Sequence, residues 1–278
     1  MASNKDNSIL VECRNDGIAV ITLNQPKQLN ALDQHQYFDL AVALRDIAER
    51  DDIYITILTG RGRYFSAGAN VGIGSSSAPE DESPRQFWLK SFVANNLHIT
   101  HAFYTHPKIL ITALNGPAIG LSAALVAFSD FIYAAPHTFL LTPFSSLGLV
   151  TEGNASVGFV RRLGISKANE ALIMSKRITC DELVQTGFVN KVFDVDAKKE
   201  GADEVFFGQV LEEVQDRLGP HLNRESLVGI KKLIRKPEMD ALDRQGVEEV
   251  LAGLERFRKG IPQEEFRKIA AGEKKHKL

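Results

Sequence analysis

Three short apolar runs alternate with segments of helical period in the first half of the chain, and no other feature restricts the fold as tightly. The runs are residues 53–59, 109–114 and 131–134, the first closed by Gly60. Between them the spacing predicts a helix over 84–106, stopped by Pro107, and an Ala-rich helix over 121–128. Strands and helices in this order build a largely parallel sheet with helices outside it, joined by right-handed crossovers. Upstream, β-branched runs at 9–11 and 17–23, separated by Asn15-Asp16-Gly17, predict a hairpin. Asp33 suits the N-cap of a helix reaching about residue 50, because Tyr37, Leu40, Ala41, Leu44, Ile47 and Ala48 recur at helical spacing.

After about residue 165 helical period dominates, broken by one strand-like run at 188–193. The reading is an α/β core over residues 1–200 and a helical region over 201–278. Val247, Val250, Leu251, Leu254 and Phe257 form an apolar stripe that packs either on the chain's own core or on a neighbouring subunit. Residues 72–83, rich in Gly, Ser and acidic side chains, predict a mobile loop.

Composition removes several classes of function. Net charge is −2 with Lys and Arg spread along the chain, so no basic face is expected for nucleic acid. The most apolar stretch, 109–135, is interrupted by Asn115, Gly116, Pro117, Ser122 and Asp130, which argues against a membrane span. Cys13 and Cys180 lie far apart and the first residues are polar, so a reducing intracellular compartment is expected. His98 and His101 have no third ligand at recognisable spacing, so no metal is expected; Lys231-Lys232 read as a solvated helix face.

Three segments could carry chemistry. In Ser66-Ala67-Gly68-Ala69-Asn70 small side chains let a ligand approach the backbone. After Asn115-Gly116-Pro117, Gly120-Leu121 opens a helix whose first N–H groups are unpaired and aimed outward. Either segment could equally serve tight packing, but two strand-to-turn junctions in adjacent units could each give one backbone donor to an oxyanion. In the third segment Glu152 follows Leu147, Leu149 and Val150 and sits beside Gly153 at an apparent helix start. Apolar neighbours would raise its pKa toward the range of a general base; helix capping is the competing reading.

These segments, with Asn24 to Asp33 near the start, resemble the crotonase, or enoyl-CoA hydratase/isomerase, superfamily, and within it the fungal peroxisomal Δ3,Δ2-enoyl-CoA isomerases. The resemblance covers most of the chain. It implies a crotonase-like spiral of ββα units with a helical C-terminal trimerisation region, hence a homotrimer or homohexamer. It also implies that the N–H groups of Ala69 and Leu121 form an oxyanion hole, with Gly68, Asn70 and Gly120 beside it. Ala67 would offer its carbonyl to the adenine of coenzyme A, while Lys27 and Ala31 border the pantetheine path. Phe144 and Leu121 would shape the acyl tunnel. Asn96 could orient substrate or water near Glu152, although a helix-surface Asn is the simpler reading.

Hydratases of this superfamily carry two glutamates where this chain has Ala124 and Phe144, so hydration is not expected. The isomerases place a single Glu one turn further on, at the position of Glu152. Glu152 would then take a proton from C2 of a 3-enoyl-CoA and return it to C4, in β-oxidation of unsaturated fatty acids. No cofactor is needed, since coenzyme A enters with the acyl-CoA substrate. A 3,5-2,4-dienoyl-CoA isomerase is the alternative, disfavoured by Phe144 at the place of its second carboxylate; a silent acyl-CoA-binding relative would be expected to lack Glu152. His276-Lys277-Leu278 resembles a peroxisomal targeting tripeptide, which implies an import receptor and the peroxisomal matrix.

Overall fold

The computed structural model describes residues 7–70 and 78–275. His276, Lys277 and Leu278 therefore lie outside the described residues, as does much of the expected loop at 72–83. Strands β1 (Ile9–Cys13) and β2 (Ile18–Leu23) form the expected antiparallel hairpin, with Ile9 opposite Leu23. Then follow α1 (Gln34–Ala48), β3 (Ile55–Gly60), α2 (Pro84–Trp88), a π turn over Leu89–Val93, α3 (Ala94–Tyr104) and β4 (Ile109–Leu114). Next come β5 (Ala118–Ile119), α4 (Gly120–Val126), β6 (Phe131–Ala134), β7 (Phe139–Leu141), α5 (Ala155–Leu172), β8 (Ile178–Thr179), α6 (Cys180–Gln185) and β9 (Lys191–Val192). Helices α7 (Ala202–Leu218), α8 (Arg224–Arg235), α9 (Met239–Arg258) and α10 (Ile261–Ala270) end the fold. Asp33 caps α1 as expected, in a reciprocal box with Gln36.

The larger sheet has the order β1-β2-β3-β4-β6-β9 and is parallel from β2 onward. Every residue of β3 and β4 is buried, which is why these runs are continuously apolar rather than alternating. One face packs Ile21, Leu58, Leu110 and Leu114 in a core that includes α1 and α3 residues Leu44 and Phe103. The other packs Val20, Ile57 and Ile111 with Phe206, Val210 and Val214 of α7. Although α7 lies beyond residue 200, it covers the sheet.

A narrower sheet, β5-β7-β8, lies in the second layer, and single parallel pairings extend it: Ser66 with Ala118, and Leu32 with Ala69. Each turn of the chain thus sends one extended segment to each layer before its helix, which is the ββα spiral expected. Asn115 helps fasten the turns together. Its Oδ1 accepts from Gly60 N at 3.1 Å, and its Nδ2 donates to Gly62 O at 2.6 Å.

Two expectations are corrected. Lys231 is not on a solvated face: it is 7% exposed, its Nζ lying 2.6 Å from Asp130 and donating to Lys108 O at 2.6 Å. Only Lys232 of the pair is exposed. The stripe on α9 meets the chain's own core only in part. Val250, Leu254 and Phe257 pack with Trp88, Phe92 and Val93, whereas Val247 and Leu251 remain exposed. Among the described residues no helix is long and apolar enough to cross a membrane.

Candidate active site

The site begins at a close approach between two backbones. Gly68, with φ +85°, lies so near β5 that a Cβ built on it would stand 2.6 Å from Ile119 O. Only glycine allows that contact at that angle. The next residue, Ala69, pairs with Leu32 through its neighbours: Leu32 N donates to Gly68 O, and Asn70 N donates to Leu32 O. In a parallel pairing of this kind the central residue's own N–H points to the opposite side. Leu121 is the second residue of α4, within the first turn whose N–H groups have no intrahelical acceptor. Ala69 and Leu121 line one cavity.

A buried hydroxyl chain holds these segments in register. Tyr37 Oη lies 3.0 Å from Ser122 Oγ, which lies 2.9 Å from Ser66 Oγ. Ser66 Oγ donates to Asn30 O at 2.8 Å and accepts from Gly68 N at 3.1 Å. Helices α1 and α4 are thereby tied to the Ser66–Asn70 strand. Sequence reasoning treated Tyr37 only as core and passed over Ser66 and Ser122. Their place inside the two glycine-containing segments was the available signal.

Glu152 enters the same cavity from the segment before α5. Gly153, at φ +69°, permits this, since a Cβ there would lie 2.8 Å from Leu121 and 3.0 Å from Ala124. Asn154, not Glu152, occupies the N-cap position of α5, and Asn154 Nδ2 donates to Leu242 O at 3.0 Å. The capping reading of Glu152 therefore fails. Instead Asn96 Nδ2 donates to Glu152 Oε2 at 2.6 Å. Asn96 is 4% exposed, which corrects the helix-surface reading. Burial raises the Glu152 carboxyl most, the Glu249 charge adds to it, and the Asn96 bond opposes both; the result is a pKa of about 7.

Ile99, Leu149 and Phe92 wall one side of the cavity, with Phe257 of α9 and Phe266 of α10 closing over it. Asn70 lines it as well, and Glu152 is its one carboxylate among the described residues. The remaining residues singled out in the sequence fall nearby or apart. Ala67 N donates to Leu29 O at 2.8 Å, so the turn carrying exposed Lys27 and half-buried Ala31 runs beside the 67–70 strand at the rim. Gly120, at φ +60°, starts α4. Phe144 is not in the cavity: it is buried against Ala124 and Ala155, so it cannot shape a tunnel there directly. Neither Ala124 nor Phe144, the two positions of a hydratase's acids, can activate water.

Residues 13–206 match the family model described as enoyl-CoA hydratase/isomerase. The chain is 58% identical to a Delta(3,5)-Delta(2,4)-dienoyl-CoA isomerase of Pyricularia oryzae, over 94% of this chain and 96% of that one. It is 37% identical to a 3,2-trans-enoyl-CoA isomerase of Saccharomyces cerevisiae, over 93% of each. A crystal structure of an enoyl-CoA hydratase/isomerase from Pseudoalteromonas atlantica superposes with a TM-score of 0.82, at 23% identity over 98% of this chain and 100% of the other. With its sheet order, its paired strand-to-turn junctions and its matched sequence in agreement, the chain belongs to the enoyl-CoA hydratase/isomerase family.

Proposed function

We propose that this protein is an enoyl-CoA isomerase in which Glu152 moves a proton along the acyl chain while Ala69 and Leu121 N–H groups hold the thioester oxygen. The observation that carries the reading is one carboxylate among the described residues of a largely apolar cavity that Ala69 and Leu121 also line. Removing a C2 proton places negative charge on the thioester oxygen. Donors fixed in advance stabilise that charge without reorganising, worth about 3 kcal/mol each. A carboxyl near pKa 7 is strong enough as a base and still returns the proton readily. Coenzyme A enters as part of the substrate, along the rim formed by Lys27, Ala31 and Ala67.

Two substrates fit this chemistry, and the relatives correct the earlier ranking of them. The preference for a 3-enoyl-CoA rested on Phe144 replacing a second carboxylate. The 58% identical relative is named a dienoyl-CoA isomerase, so the 3,5-dienoyl reading stands level with it. Both begin with loss of a C2 proton and differ in whether it returns at C4 or C6. Assaying trans-3-hexenoyl-CoA and a 3,5-dienoyl-CoA side by side separates them; inertness toward both refutes the proposal.

Asn96→Ala tests the electrostatics. The Asn96 bond favours the charged carboxylate, so its loss raises the Glu152 pKa further. The acid limb of the kcat/KM profile should move to higher pH, with activity at pH 7 falling roughly tenfold and recovering toward pH 9. An unmoved limb would show that Asn96 does not act on the base.

Assembly as a trimer or hexamer belongs to the same proposal, supported by exposed Ile230, Leu233 and Ile234 on α8. Light scattering should give a multiple of three chains, and a monomer contradicts it. Peroxisomal import through His276-Lys277-Leu278 is likewise proposed. A fluorescent fusion that stays peroxisomal without Lys277-Leu278 would exclude it.

A further inference from the structure

A second carboxyl lies behind the first. Glu249 on α9 is 4% exposed, and Ser156 N donates to its Oε1 at 2.9 Å. Its Oε2 is enclosed, without a hydrogen-bond partner among the described residues. Thr151, through its side chain, and Asn154, through its backbone, lie close enough to favour the charged carboxylate as hydrogen-bond donors, so its surroundings flank Glu152 in the chain on both sides. Helix α9 grips the same segment twice more: Gln245 Nε2 donates to Ser156 Oγ at 3.1 Å, and Leu242 O accepts from Asn154 Nδ2 at 3.0 Å. Glu249 does not line the cavity. Burying a carboxylate here is unfavourable, and a neutral side chain would avoid that cost.

We propose that Glu249 is a positioning residue for Glu152: from α9 it clamps the segment that carries Glu152 and holds a second enclosed carboxyl close behind it. This rests on Glu152 being the acid/base of the isomerase reading. Two like charges in one enclosed region titrate as a pair, and the first proton lost makes the second harder to lose. Burial raises Glu249 too, with the Ser156 bonds opposing. The coupling keeps Glu152 basic enough to remove a C2 proton.

On α5, Arg161 pairs with Glu238 and Arg162 donates to Ala127 O, and the charged groups on the other elements around the pair include the following. From α1, Tyr37 is held neutral by burial and bonded to Ser122. On α3, His101 meets Arg45, which also acts on His98, while Tyr104 donates to Asp243 at 2.6 Å. Arg85 of α2 pairs with Glu255, Lys90 of the π turn with Glu82, and Arg256 of α9 donates to Gly148 O. On α10, Arg267 and Lys268 pair with Glu264 and Glu265. Among the described residues no cation is bonded to Glu152 or Glu249.

The test is the pH profile of kcat/KM for wild type, Glu249→Gln and Glu249→Asp. In Glu249→Gln the acid limb should move to lower pH, raising the rate at pH 5.5 relative to the plateau about tenfold for each unit of displacement. KM at the plateau should stay that of wild type, because Glu249 does not touch substrate. Glu249→Asp keeps the charge and should keep the limb. A Glu249→Gln limb that coincides with wild type, or moves upward, overturns the proposal. Should that variant not fold, the coupling is read in reverse by infrared titration of Glu152→Gln. There the remaining buried carboxyl should ionise at lower pH than the last one to ionise in wild type; an unchanged titration overturns the proposal. A fully active Glu152→Gln would instead remove Glu152 as the acid/base, so the two failures are distinguishable.

Discussion

Glu152→Gln should fold normally and lose isomerase activity by at least about 10²–10⁴-fold, the contribution expected of a positioned acid/base. Glutamine keeps the shape and can still meet Asn96, but it cannot carry the proton. Coenzyme A binding should persist, because the oxyanion donors and the rim are untouched. Stability gives an independent check. The folded pKa of Glu152, about 7, lies above its ordinary 4.5, so the folded state holds a proton that the unfolded state releases. Its favourable contribution is therefore full below about pH 4.5 and is lost as pH rises through 7. Glu152→Gln, neutral throughout, should melt at or above the wild-type temperature at pH 8. A variant that retains wild-type turnover would remove Glu152 from the mechanism.

Gly68→Ala should be nearly as damaging, through geometry alone. The new methyl would stand 2.6 Å from Ile119 O, and φ +85° is unfavourable for alanine, so the 67–70 strand must shift away from β5. Ala69 and Leu121, whose N–H groups are the proposed oxyanion donors, flank that contact. Displacing them by about 1 Å costs on the order of 10²-fold in rate. The loss should appear in kcat more than in KM, with the circular dichroism spectrum unchanged. A variant with full kcat would show that this approach does not position the oxyanion hole.

The fold was legible where burial is uniform. Runs such as Ile109–Leu114, buried at every position, have an unambiguous pattern, and the βαβ alternation followed from them. Glu152 was legible as a carboxylate among apolar neighbours beside a glycine. Asn96 was misread from its residue type, since asparagine on a helix is usually exposed; its spacing to Phe92, Ile99 and Phe103, all buried, was the signal that placed it on the inner face. Lys231 was misread because its partner, Asp130, is distant in sequence. Glu249 had no local signal either. Its meaning lies in a contact with Ser156, 93 residues away, which only the packing of α9 on the start of α5 creates. Phe144 led to a ranking of the two isomerisations that the names of the similar proteins do not support, since the 58% identical relative is named a dienoyl-CoA isomerase and the 37% identical one a 3,2-trans-enoyl-CoA isomerase.

The most direct measurement is product analysis of wild-type protein incubated with trans-3-hexenoyl-CoA and, separately, with crotonyl-CoA. With Glu152 as the cavity's carboxylate among the described residues, and Ala124 and Phe144 at the positions the resemblance assigns to a hydratase's acids, no 3-hydroxyacyl-CoA is expected from crotonyl-CoA, and a shifted double bond is expected from trans-3-hexenoyl-CoA or from a 3,5-dienoyl-CoA run beside it. Rapid formation of the 3-hydroxyacyl product would contradict the single-carboxylate site.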